Sequence, residues 1–266
     1  MTINLSQVRD DFMPVDVTVV VISYARVHAL PALFRALAQQ RFEGSWNCIL
    51  WNNNRSAAAS LDRIVADVRG LAIDVFHANR NQFCTVRFAA AGLATGRLIL
   101  LCDDDVVPGP DFVATFVRKY EHLRSRSSAP LALCACGHRF DRGVVAKAGP
   151  VEVWDERRGL SFFDQYAPER MVHFMHANSL LLARELLLDA AAVPMPDPAL
   201  RLVDDYWMSF VLSHHLKARL LKIRLADSMR FTDSAYDGAV AMHLQPAVRE
   251  AKLLMYQHHQ RCGWPS

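Results

Sequence analysis

Asp103, Asp104 and Asp105 stand in succession at the end of the apolar run Leu98-Ile99-Leu100-Leu101-Cys102. A strand that apolar is expected to be buried on both faces, so three like charges at its C-terminal end repel one another where water is scarce. A cation should compensate them. A divalent metal, Mn²⁺ or Mg²⁺, is the simplest candidate, because these ions prefer oxygen ligands and are shared between one or two carboxylates and the phosphates of a substrate. The rival account is a solvated acidic turn leading into Val106-Val107-Pro108-Gly109-Pro110. The metal reading is preferred because ligands of open α/β sheets bind at the carboxyl ends of the strands.

A second acidic pair, Asp204-Asp205, precedes Tyr206-Trp207-Met208-Ser209-Phe210-Val211-Leu212, in which Trp207, Val211 and Leu212 share a helical face. One carboxylate is explained by the start of a helix, where it caps free N–H groups and favours the dipole. The other is left to face a substrate. Arg26, after the first strand, and Arg87, at the start of a helix beside the crevice, are candidate phosphate partners, with surface ion pairing as the alternative. Among the late histidines His214, His215, His243, His258 and His259, most fit surface or packing roles. His243 is the candidate extra metal ligand, in a tail segment where Gly238 can act as a hinge.

The elements that must position these groups follow from hydrophobic periodicity. Val17 to Ile22 is a β-branched run followed by Leu30, Leu33, Phe34 and Leu37 at helical spacing. Cys48 to Trp51 gives a second strand, and Leu61, Ile64, Val65 and Val68 a second helix, with Ser56 as its expected cap. Ile73 to Phe76, Thr85 to Leu93 and Leu98 to Cys102 repeat the alternation, which predicts a parallel sheet covered on both faces. The polar strand ends should then line one crevice: Ser23, Tyr24, Ala25 and Arg26, then Asn52 to Arg55 with Asn54, then Asn79 to Gln82 with Asn81, and the aspartates. Phe112, Phe116 and Tyr120 predict a further helix, and Ser179 to Ala183 a buried strand. Residues 139–170 are expected to be irregular, over or beside the crevice.

Composition narrows the class. A chain of 266 residues and 30.0 kDa with 52% hydrophobic content can bury a large core, and one compact domain is expected. A net charge of +3 without clustered Lys and Arg excludes a nucleic-acid footprint. No run is long and apolar enough for a membrane span, although peripheral membrane contact stays open. Six scattered cysteines without framework spacing predict a reducing, cytoplasmic setting.

Taken in order, Ser23-Tyr24-x-Arg26, Trp51-Asn52-Asn53, Arg87-Phe88, Asp103-Asp104-Asp105 and Asp204-Asp205-Tyr206-Trp207-Met208-Ser209 resemble metal-dependent glycosyltransferases of the GT-A fold. Within that fold the set is similar to the exostosin-like and bacterial heparosan-capsule α-N-acetylglucosaminyltransferases. The resemblance implies a Rossmann-like, mostly parallel central sheet flanked by helices, with acceptor-side loops and a C-terminal helical tail. Residues 17–110 would form the nucleotide-sugar half and 111–266 the acceptor half and tail of one GT-A domain. It further implies a UDP-sugar donor and a glycan or other hydroxyl acceptor.

By the same resemblance, Asp103 would hold the ribose, Asp105 the metal and Asp104 the region of the sugar. Tyr24 and Asn52 would contact uracil, Arg26 and Arg87 would steady the diphosphate, and Asp205, with Asp204 beside it, would face the reacting sugar and the acceptor hydroxyl. Retention of anomeric configuration is implied, whereas an inverting reaction would need a base, for which Asp205 is available. His176-Ala177-Asn178-Ser179 departs from the Gly-rich stretch expected beside the acceptor, so N-acetylglucosamine is not assigned as the sugar. The alternatives weighed are a haloacid-dehalogenase-like phosphatase, which also uses an Asp-x-Asp after an apolar strand, and a non-catalytic nucleotide or sugar binder.

Overall fold

The computed structural model describes residues 15–139, 161–162, 166–237, 239, 241–242 and 245–264. Four strands, β1 (Val17–Ser23), β2 (Trp46–Asn52), β3 (Ile73–His77) and β4 (Leu98–Asp103), alternate with helices α1 (Leu30–Ala38), α2 (Ala58–Ala66) and α3 (Val86–Leu93). β1 lies between β2 and β4 and is parallel to both, and β3 extends the parallel set beyond β2. Then follow β5 (Val106–Pro108), α4 (Phe112–Arg124), β6 (Leu131–Cys134), β7 (Gly137–His138), β8 (Ser161–Phe162), β9 (Arg170–Met171), β10 (Phe174–Met175), β11 (Ser179–Ala183), α5 (Arg184–Ala191), α6 (Asp204–Phe210), β12 (Arg219–Lys222), β13 (Met229–Phe231) and α7 (Pro246–Arg261).

The main sheet has the order β3-β2-β1-β4-β11-β6-β12-β9. β11 is inserted antiparallel between β4 and β6, so the sheet is parallel on its N-terminal side and mixed beyond β4. Its strand character is local, carried by the apolar run Leu180-Leu181-Leu182, but its direction depends on which strands it meets.

Side chains alternate across this sheet with period two and build a core on each face. Val17, Val19, Val21, Leu98 and Leu100 pack with Leu30, Leu33, Phe34 and Leu37 of α1 and with Phe112 and Phe116 of α4. On the other face Val20, Ile49, Ile99 and Leu101 meet Ala90 and Ala91 of α3 and Leu186 and Leu187 of α5. Each fully buried aliphatic side chain contributes about 1.5–3 kcal/mol. Ser56 is not the cap expected of it. Asn54 holds that place, its Oδ1 accepting the Ser56 amide at 3.2 Å and opening a 3₁₀ turn over Arg55–Ala57 before α2.

α7 closes on α6 through an aromatic cluster. His259 is buried there, stacked on Phe210 at 3.8 Å between centroids and surrounded by Tyr206 and Trp264, with neither ring nitrogen hydrogen-bonded. Burial drives its pKa down to about 2. A depressed folded pKa gives stability that is present above the unfolded value and lost as pH falls below it, because the unfolded chain then takes up a proton that the folded chain refuses. His259→Phe removes that linkage without losing a hydrogen bond. The variant is expected to gain about 2 kcal/mol over the parent at pH 5 relative to pH 7.5, read from urea denaturation at both pH values; an equal difference at the two would contradict it.

No helix among the described residues is long and apolar enough to cross a membrane. Most of the 139–170 segment expected to be irregular, together with Gly238 and His243, lies outside the described residues.

Candidate active site

β4 delivers Asp103 to the C-terminal edge of the sheet, in register with Ile22 of β1, and its amide donates to the Asn178 carbonyl at 3.0 Å. The chain turns at Asp104 and Asp105 into β5, which pairs with β13, and the Thr232 amide donates to the Asp105 carbonyl at 2.8 Å. The triplet therefore sits under a strap from the C-terminal part of the chain.

Two arginines compensate the charge that the sequence assigned to a metal. Arg26 Nη1 lies 3.0 Å from Asp104 Oδ1 and 3.3 Å from Asp105 Oδ2, while its Nε donates to the Ser234 carbonyl at 3.2 Å. Arg87 is buried in the first turn of α3. Its Nη2 donates to Asp103 Oδ1 and its Nη1 to Asp204 Oδ2 at 2.5 Å. One planar guanidinium thus joins the strand-end triplet to the N-terminus of α6, a bidentate task that an ammonium cannot perform. Both arginines, the candidate phosphate partners, pair with carboxylates, which are the anions nearest to them in this crevice.

Burial pushes the Asp104 carboxyl up to about 6 against the pull of Arg26, and burial with repulsion from Asp103 pushes Asp105 up to about 7. Asp205 rises to about 7 through burial and the neighbouring Asp204, with Arg87 and Lys252 opposing. Burial also raises Asp204, again against Arg87. A raised carboxyl pKa gives stability that is present below the unfolded value and lost as pH climbs through the folded one. For these groups that window runs from about pH 4 to about pH 7, and a cation at the site would relieve the penalty.

The two carboxylates of the later pair divide, though not into a helix cap and a free group: the one that meets an amide of α6 is also the more exposed. Asp204 is buried on Arg87, whereas the Asp205 side chain is 27% exposed, with Oδ1 accepting the Tyr206 amide at 2.8 Å. α6 is pinned to β10 by Ser209, whose Oγ accepts the Met175 amide at 2.9 Å and donates to the Asp205 carbonyl at 2.8 Å.

The remaining predicted residues separate into facing and structural groups. Tyr24 is 50% exposed at the end of β1, a ring free to stack on a planar ligand. Asn52, expected at the uracil, is instead fully buried: its Nδ2 meets His77 Nδ1 at 2.9 Å and its Oδ1 accepts the Asn54 amide at 2.8 Å. Its side chain faces β3, since the parallel register sets Asn52 beside His77. Asn54 holds the Tyr24 carbonyl at 3.1 Å, and Asn81 Oδ1 accepts the Phe83 amide at 2.8 Å, so both shape loops. Ser23 is buried and its Oγ has no hydrogen-bond partner; Asn178 Oδ1, across β4, is likewise unpartnered. His243 lies outside the described residues. A cleft of about 610 Å³ beside the crevice is lined by Trp51, His77, Asn79, Arg80, Gln82 and Val86.

Asn53 and His176 stand in stretches that the sequence singles out without giving either a role, and His138 stands in none. Asn53 ties β2 to the loop before α3, its Nδ2 donating to the Phe83 carbonyl at 2.9 Å and its Oδ1 accepting the Gln82 amide at 3.2 Å. His138 and His176 meet at 2.7 Å through their Nε2 atoms, behind Asp205. Single histidines after the apolar runs Leu131 to Cys136 and Phe174-Met175 were the available signal, but nothing local pairs positions that far apart.

Among the described residues no three His, Cys, Asp or Glu side chains converge as a metal cluster. Asp103 and Asp105 are oxygen ligands of the kind taken by an ion that binds one or two protein carboxylates and completes its shell from substrate phosphates and water.

A sheet parallel through β3, β2, β1 and β4, carrying acidic groups at its carboxyl edge and an antiparallel β11 beyond, defines a GT-A type fold. The sequence matches the family described as Glycosyl transferase family 2 over residues 18–181, and the chain belongs to that family. The narrower likeness to exostosin-like enzymes rests on the motif set alone, and the phosphatase alternative falls away. No curated protein matches the sequence. Among solved structures, S. aureus TarS superposes with a TM-score of 0.53 at 13% identity, covering 92% of this chain and 43% of that one. TarS 1–349 in complex with UDP-GlcNAc gives 0.50 at 14%, covering 82% and 58%. TarS 1–349 in complex with UDP gives 0.51 at 13%, covering 93% and 72%. This chain therefore spans about half the length of the first two.

Proposed function

We propose that this protein transfers a hexosyl or N-acetylhexosaminyl group from a UDP-sugar to a hydroxyl acceptor in glycan synthesis. The observation that carries it is the Arg87 bridge: one buried guanidinium sets the strand-end triplet, where a donor diphosphate would bind, against the Asp204-Asp205 pair that would face the reacting sugar. The UDP-containing TarS structures support the choice of nucleotide, and the exposed Tyr24 ring supports a base-stacking role. Residues 17–110 form the donor half in this reading and 111–266 the acceptor half. Free, mostly buried thiols suit a reducing, cytoplasmic setting.

Asp105 and Asp103 would hold Mn²⁺ or Mg²⁺ together with the donor diphosphate; when bound, the ion supplies Lewis-acid neutralisation of the leaving group. Asp205 removes the acceptor hydroxyl proton while the acceptor oxygen bonds to the anomeric carbon and the diphosphate leaves with the electron pair of the broken bond. A carboxyl poised at about 7 suits proton abstraction near neutrality. Asp205, the more exposed carboxylate of the pair, supplies the base that an inverting reaction needs, whereas the retention implied by the motif resemblance needs none.

UDP with Mn²⁺ is expected to raise the melting temperature well beyond UDP alone, since a ligand at a hundred times its Kd contributes about 2.7 kcal/mol. Asp105→Asn should abolish the metal-dependent increment and leave the rest. Absence of any nucleotide effect in thermal-shift titration would sink the reading.

A further inference from the structure

Behind Asp205 lies a pair of histidines whose geometry has a chemical use. His176 Nδ1 is 3.6 Å from Asp205 Oδ2, and its Nε2 is 2.7 Å from His138 Nε2. His138 is buried on β7, where its ring stacks on Phe174 at 5.3 Å, and Phe174 in turn meets His176 edge-on at 4.7 Å. The β7–β10 pairing sets Phe174 opposite His138 and Met175 opposite Gly137. Gly137 is required there, since a Cβ would come within 2.7 Å of the Phe174 carbonyl oxygen. With Ser209 pinning α6 to Met175, the three groups are held by the antiparallel β7–β10 pair and one helix.

We propose that His176, oriented by His138, is a positioning residue that aims and keeps ionised the Asp205 carboxylate, resting on the reading of Asp205 as the base. The contact between two Nε2 atoms holds a single proton. If His138 donates it, neutral His176 accepts at Nε2 and must carry its own proton on Nδ1, the nitrogen facing Asp205. If His176 donates it instead, a neutral ring would turn a bare Nδ1 toward a carboxylate, which is repulsive. An ionised Asp205 therefore selects a proton on His176 Nδ1, either in the first arrangement or in an imidazolium that also donates from Nε2 to neutral His138, and the Nδ1–H steadies its charge.

His138 stays neutral because burial, with Lys252 adding, drives its pKa down to about 3. Among the described residues, the titratable and charged groups around the carboxylate include Asp204 on α6, Arg87 on α3, Lys252 on α7 and the two histidines. Of these groups, the histidines can change which atom carries a proton without changing the local charge.

The test needs no acceptor. In protein with ¹⁵N-labelled histidine, long-range NMR spectra at pH 8 should show His176 protonated at Nδ1 and bare at Nε2; a bare Nδ1 overturns the proposal. Carboxyl-detected titration should show Asp205 in His176→Phe, which keeps the ring packing on Phe174, shifted upward by about one pH unit, a tenfold change in proton affinity. His138→Phe should shift it in the same direction by less. An unchanged Asp205 titration in a folded His176→Phe also overturns it, and the spectra of the unsubstituted protein decide the matter if that variant fails to fold. Should Asp205→Asn retain transfer while the titration shift is present, the base assignment fails and the positioning contact stands.

Discussion

Asp205→Asn is expected to lower the transfer rate by about 10²–10⁴-fold, the usual contribution of a positioned base, while leaving the UDP and Mn²⁺ thermal shift unchanged. Asparagine keeps the shape of the side chain, and its Oδ1 can still accept the Tyr206 amide at the start of α6. What it lacks is a lone pair basic enough to take the hydroxyl proton. In the unsubstituted enzyme kcat should rise with pH to a plateau above about 7, because the carboxyl must be ionised to act and burial has raised it to that range. The variant should lose this inflection. Full activity in Asp205→Asn, measured as UDP release with a competent acceptor, would refute the assignment, and loss of nucleotide binding would mean that the residue belongs to the donor site.

Arg87→Met should be the most destabilising single change in the crevice. It leaves Asp103 and the buried Asp204 facing each other without a cation, and breaking a buried ion pair from one side costs about 3–5 kcal/mol. Without the guanidinium that opposes its burial, Asp204 would rise further above the usual carboxylate range, and stability would be recovered as pH falls. Urea denaturation should therefore show a large loss at pH 7.5 and a smaller one at pH 5. Arg87→Lys should restore only part of it, since one ammonium cannot span two carboxylates held by different elements. A loss below about 1 kcal/mol at pH 7.5, the range of a solvated ion pair, would show that Arg87 is not the bridge described.

Arg87 also illustrates how the site exceeds what its local sequence carries. A helix over 85–93 is legible from apolar spacing, and an arginine at its start suggests a phosphate partner. Its two real partners, Asp103 and Asp204, are separated from each other by the whole of β5 to α5. Asn52 shows the same limit in the opposite direction. At the end of a strand it reads as a ligand contact, yet parallel pairing with β3 sets it against His77 and turns it inward.

By itself the sequence determined the N-terminal run of strands and helices, the placement of the three aspartates at the end of a buried strand, and the helix that Asp204 and Asp205 begin. These depend on periodicity and on end effects within a few residues, which are local properties of the chain. Tertiary structure alone decided which cations meet the triplet, the direction of β11, and the meeting of His138 with His176 behind Asp205. Each of these depends on desolvation and pairing across the fold, where the energy of a charged or polar side chain is set by neighbours that the chain brings together only when it closes.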